Sequence, residues 1–164
     1  MARRVGVDVV VEITVDEDAA KDRIQDMKDR AGNFRPVLKW AGERLERAYS
    51  ENFTTMGLVS ARAMLKGAWP PLDAGYASWK ATRYPGAPML VQTGELFRSV
   101  ANITSSPYSN IEDMHAEFAV VGKIAKFHQY GTQNMPARKI IFVPRDFDRE
   151  IGEKAVDYVI NGSK

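Results

Sequence analysis

A chain of 164 residues, 45% hydrophobic and 27% charged, has the make-up of an ordinary globular protein with room for one core, so a single domain over residues 1–164 is expected. It has no cysteine and only two histidines, which excludes disulfides, thiolate nucleophiles and cysteine-based zinc sites and leaves any metal site to rely on carboxylates. A net charge of +2 is too small for a dedicated nucleic-acid binder, and no apolar run nears the ~18 residues of a membrane span.

The chain begins MARRVGVDVVVEI, basic and then apolar, as a secretory leader does. Asp8 and Glu12 interrupt the run and no small-residue cleavage site follows, so an intracellular product is expected. Residues 5–15, rich in Val and Ile with partial alternation, predict a strand. Asp16 and Asp18 offer capping carboxylates to a helix over residues 19–31 that ends at Gly32, with Ile24, Met27 and Ala31 as a narrow buried stripe. A second helix starts near Asn33, with Pro36 in its first turn, where a missing N–H costs little. Val37, Leu38, Ala41, Leu45, Ala48, Tyr49 and Phe53 recur through it at helical spacing, which makes it the main helix across the sheet.

Residues 54–88 lack such a period and are punctuated by Gly57, Gly67, Pro70, Pro71, Pro85, Gly86 and Pro88. They predict an extended irregular arm with one helical turn at 76–80, mobile in the free monomer and ordered on assembly. Thr93 caps a short helix over 94–100; residues 101–106 predict a strand, 107–113 a turn and 115–121 the returning strand. A short helical or irregular patch over 124–130 ends at Gly131, and the apolar run 140–143 is a further strand. The last helix starts at Pro144, with Asp146, Asp148 and Glu150 at its positive end. Phe147, Ile151, Ala155, Tyr158 and Val159 mark its buried face. The expected fold class is therefore α+β: an antiparallel sheet of about four strands packed by a long helix and a C-terminal helix, with an irregular arm.

His128 is the one obvious acid–base candidate, because imidazole titrates near neutrality. No local motif orients or activates it, and Ser nucleophile elbows, HExxH and phosphate loops are absent, so a packed or interface histidine between Phe127 and Tyr130 competes with a catalytic one. Arg138, just after Pro136, suits bidentate pairing with a phosphate or with a carboxylate on a neighbouring subunit; a solvated surface arginine is the plain alternative. Trp69, Trp79 and Tyr84 lie outside any periodic core and are read either as interface anchors or as a satellite cluster over the sheet. The mixed-sign runs 21–30 and 145–154 read as solvated helix faces.

Two groups of residues, in order, resemble a known family. WPPL at 69–72, Trp79-Lys80 and MLVQTGELFRS at 89–99 precede HQYGT at 128–132, MPAR at 135–138 and the apolar run. This order is similar to that of the phage virion morphogenesis and neck (tail-completion) proteins, and the likeness covers residues 69–159. Residues 1–53 match no motif of it. The resemblance implies a non-enzymatic structural protein of a tailed-phage virion, at the neck, made in the host cytoplasm and needing no cofactor, metal or membrane. It implies a homo-oligomeric ring, hexameric as first expectation and dodecameric as second. The ring would stand between the head-connector protein and the tail tube or tail terminator protein, with genomic DNA passing its lumen without sequence specificity. Subunit-interface candidates are then Trp69, Trp79, Tyr84, Phe127, His128, Tyr130, Met135 and Arg138. Alternatives are a tail terminator capping the tube, a small hydrolase using His128, and a weak nucleic-acid module in which Arg3, Arg4, Lys123, Lys126 or Lys139 repeat around an axis.

Overall fold

The fold is built on one long helix, α2, Arg35–Thr54. Pro36 sits in its first turn, and Val37, Ala41, Leu45, Ala48, Tyr49 and Phe53 close into one buried face, with Leu38 half-buried beside them. The computed structural model describes residues 17–120 and 122–162. The other helices are α1 (Glu17–Ala31), α3 (Leu58–Met64), α4 (Ala74–Arg83), α5 (Glu95–Ala101), α6 (Lys123–Tyr130) and α7 (Phe147–Asn161). Helices α3, α5 and α7 pack on α2, and α1 packs on α7. The core is aromatic at its centre: Phe53 meets Trp69 and Phe97 edge-on at 5.3 and 5.5 Å, and Tyr49 meets Phe142 at 5.4 Å. A forked ion pair from Arg44 to Glu150, with Nε–Oε2 at 2.7 Å and Nη2–Oε1 at 3.2 Å, ties α2 to α7.

The expected four-stranded α+β sheet is overturned. The described residues form seven helices and a single two-stranded antiparallel sheet, β1 (Asn110–Ile111) and β2 (Ala116–Glu117), in which Asn110 faces Glu117 and Ile111 faces Ala116. The physical reason recurs at each failed strand: side chains, not neighbouring strands, take the backbone hydrogen-bonding groups. The expected strand at 101–106 is the end of α5 and a turn. There the Thr104 N–H and hydroxyl both donate to Glu46 Oε1 of α2, at 2.8 and 2.6 Å, while Ile103 is buried. The returning strand stops after Glu117, and Ala119 donates to the Ser109 hydroxyl at 3.0 Å. The run at 140–143 forms no named strand, because Gln129 satisfies its start. The strand expected over 5–15 lies outside the described residues.

Two further expectations are corrected. Segment 54–88 is not an irregular arm throughout, since it carries α3 and the whole of α4. Asp73 makes α4 possible: its Oδ1 accepts from the Gly75 and Tyr76 N–H groups at 2.9 and 3.2 Å, the geometry of a helix N-cap. The stripe expected on α1 is not buried, and Ile24 is exposed. The helix is held instead through Arg30, whose Nε donates to the Val159 carbonyl of α7 at 2.8 Å. The last helix begins at Phe147, three residues after Pro144, with the Pro144 carbonyl accepting the Phe147 N–H.

Candidate functional site

The site grows from α6 and the chain that returns along it. Gly131 ends the helix at φ 79° and ψ 179°, a conformation reserved for glycine, and a Cβ there would lie 2.9 Å from the Met135 carbonyl oxygen and the Ala137 nitrogen. A tight turn follows, closed by Thr132 N–H to Met135 O at 2.8 Å and by Met135 N–H to Thr132 O at 3.3 Å. Arg138 then donates its N–H to the His128 carbonyl at 2.6 Å, which lays residues 138–141 beside α6. Gln129 completes the attachment: its Oε1 accepts from Ile140 and Ile141 N–H at 3.0 Å each, and its Nε2 donates to the Ile141 carbonyl at 2.8 Å.

The same returning segment binds the tryptophan-proline stretch far upstream. Trp69 Nε1 and Asn52 Nδ2 both donate to the Lys139 carbonyl, at 2.9 and 3.0 Å. Arg138 reaches back with Nε to the Pro70 carbonyl at 2.9 Å and Nη2 to the Pro71 carbonyl at 2.8 Å. Proline at 70 and 71 leaves these carbonyls free of helix or sheet, so a guanidinium fork can clasp both. The residues WPP and PAR, 67 or more positions apart, thus form one joint.

Beside the joint lies a cavity of about 450 Å³, walled by residues 71–73, α4, residues 89–96, α6 and the 134–138 return. Its lining is mostly apolar, including Leu72, Met89, Leu90, Leu96, Ile124 and Met135, yet three basic side chains also line it. Arg138 is 3% exposed and Lys80 is 6% exposed. Lys80 Nζ donates to the carbonyls of Ala87 and Pro88, which pins the loop after α4. Burial pulls the Lys80 ammonium and the Arg138 guanidinium below their ordinary values, since each charge has left water. His128 is likewise pushed below 6.5, by burial first and by the positive charge of Arg138 second. Its Nδ1 is buried and has no hydrogen-bond partner among the described residues.

Of the eight residues singled out in the sequence, His128, Met135 and Arg138 line the cavity together. Trp69 is buried within the core, 7% exposed, and belongs to the joint. Trp79 and Tyr84 sit on and just after α4 in an aromatic group with Tyr76, Trp79 stacked on Tyr76 at 5.4 Å and edge-on to Tyr84 at 6.0 Å. Phe127 and Tyr130 face outward from α6, and Lys139 Nζ stands 5.2 Å over the Tyr130 ring. Sequence reasoning gave no role to Lys80, Gln129 or Asn52. Lys80 and Gln129 left a signal only as members of quoted motifs, the tryptophan-lysine pair and HQYGT, and Asn52 left none. The described residues hold no cluster of His, Asp or Glu that could bind a metal ion, and no described helix is long and apolar enough to cross a membrane. Comparison with family models, curated proteins and solved structures finds no match to this chain.

Proposed function

We propose that this chain is a structural protein of a tailed-phage virion, a ring-forming neck or tail-completion component that joins tail to head and leaves a lumen for DNA. The observation that carries the reading is the joint itself. The sequence stretches that resemble the neck proteins, WPPL and MPAR, are bound to each other through Trp69, Arg138 and Lys139. Stretches that interlock in this way act as one unit, which supports treating their shared order as the mark of one architecture. A second support is the outward face next to the joint. Tyr76 and Trp79 on α4 and Ile124, Phe127 and Tyr130 on α6 leave large apolar side chains exposed, of the kind enriched where subunits meet.

In this reading the protein works by shape. Copies associate head to tail, because heterologous contacts that close generate a ring. A hexamer is the first expectation and a dodecamer the second, with the head-connector protein on one face and the tail tube or its terminator on the other. Trp69 and Arg138 serve inside the subunit, and Trp79, Phe127 and Tyr130 meet the neighbour.

The test is the mass of the purified protein in solution, followed by negative-stain imaging of mixtures with tail tubes and with head connectors. Rings in solution, or a monomer that forms rings only on connectors or tube ends, are expected. Binding to tube ends alone would move the assignment to the tail terminator. A monomer that touches neither particle would overturn the reading.

A further inference from the structure

The two buried cations among the described residues, Lys80 and Arg138, line the same cavity, and no carboxylate of the described residues lies within ion-pair distance of either. Arg138 spends Nε and one Nη2 proton on two carbonyls, which leaves three of its five N–H donors. Lys80 spends two of three on carbonyls. Carbonyl dipoles stabilise such cations only in part, and a buried charge is most stable beside an opposite one. Two acids do line the cavity. Asp73 commits Oδ1 to capping α4, and Glu95 is exposed in the first turn of α5.

We propose that this cavity binds a carboxylate carried on an apolar body, with the carboxylate accepting from the remaining N–H donors of Arg138 and Lys80 and the body lying against Leu72, Met89, Leu90, Leu96, Ile124 and Met135. The volume falls within the ~300–1,000 Å³ of ordinary ligand sites. The charge balance of the wall selects the head group. With Asp73 and Glu95 facing the same space, a singly charged carboxylate is favoured over a dianionic phosphate, which would bring a second negative charge toward them. A neutral or cationic head would leave Arg138 and Lys80 uncompensated. The carboxylate can arrive as a free amphiphilic acid or as an acidic residue between apolar neighbours on another chain.

Calorimetric titration of the full chain separates these cases. Octanoate is compared with octan-1-ol and octylamine, and acetyl-Leu-Asp-Leu-amide with its asparagine counterpart. At least one acid is expected to bind about tenfold or more tighter than its neutral counterpart, as befits a charge-assisted contact. Lys80→Met should lower that acid's affinity about tenfold and weaken octan-1-ol by a smaller factor, since Lys80 also pins the 87–88 loop. Preference for octanoate assigns a free acid, and preference for the peptide assigns a segment of another chain. Because Arg138 also holds the fold, the unaltered protein with the five ligands carries the test. Acids that bind no tighter than their neutral counterparts, or no saturable binding at all, would overturn the proposal.

Discussion

Gln129 and Ile141 are joined as two paired strand residues would be, except that one partner is a side chain. The carboxamide donates to the Ile141 carbonyl at 2.8 Å and accepts its N–H at 3.0 Å, and it accepts the Ile140 N–H as well. Ile140 is buried, so these backbone groups have little access to water. Gln129→Ala should therefore cost about 2–4 kcal/mol, the desolvation of two or three orphaned groups, read as a lowered urea midpoint at unchanged slope. Gln129→Glu keeps the acceptor and loses the donor, and should fall between the two. A loss under about 0.5 kcal/mol for the alanine variant would show that the contact contributes nothing net.

Gly131 and Gly152 form a matched pair. At Gly131, φ 79° with ψ 179° and two backbone atoms at 2.9 Å from a Cβ leave no room to adjust. Gly131→Ala should cost about 3 kcal/mol and loosen the Arg138 joint downstream. Gly152 lies within α7, where a Cβ would meet nothing within 4 Å. Gly152→Ala should instead stabilise by about 0.5–1 kcal/mol, through the helix preference of alanine. Thermal or urea unfolding of both variants checks the opposite signs.

What was legible in the sequence depended on how far its cause lies along the chain. The face of α2 is written in local periodicity, so Val37 to Phe53 could be read directly, as could the buried face of α7 from Phe147 to Tyr158. Gly131 announced the end of α6 because its constraint is local. The sheet was misread because alternation at 101–106 and 115–121 records which face is buried, not what satisfies the backbone. The satisfying groups, Glu46 for Thr104 and Gln129 for Ile140, stand 58 and 11 residues from their partners and obey no period. Trp69 sits outside any repeat, so an interface tryptophan and a core one look alike until its Nε1 is seen on Lys139, 70 residues away. His128, Met135 and Arg138 were found as neighbours because one turn holds them. Lys80 joins them only through the fold.

Two buried groups set opposite pH limits. The folded chain holds His128 below 6.5, so the unfolded chain takes up the proton first. Its contribution is full above 6.5 and is lost as the pH falls below that value, since the unfolded state then binds more protons. Urea midpoints between pH 7.5 and 5 should fall, and His128→Asn should flatten that slope. Tyr49 behaves in the reverse sense. Burial raises its phenol to about 12, against the lowering effect of a hydrogen bond from the Phe142 backbone. The unfolded chain loses this proton near 10, so stability is full below 10 and declines between 10 and about 12. Tyr49→Phe should remove that alkaline decline, and ultraviolet titration should show a late phenolate in the unaltered protein that is missing from the variant.

Phe127 and Tyr130 offer the sharpest separation of folding from the proposed ring assembly. Both project from α6 away from the core, and Tyr130 is 72% exposed, with the Lys139 ammonium over its ring. Exposed positions of this kind contribute little to the monomer, so Phe127→Ser with Tyr130→Ser should change unfolding stability by about 1 kcal/mol or less. A subunit interface draws on the same rings quite differently, because aromatic anchors at its centre often cost about 2 kcal/mol or more each when truncated. The double variant should therefore unfold like the unaltered chain while failing to form rings alone or on tubes and connectors, as read by mass in solution and by negative-stain imaging. Rings formed at undiminished yield would remove α6 from the interface and direct attention to Tyr76 and Trp79 on α4.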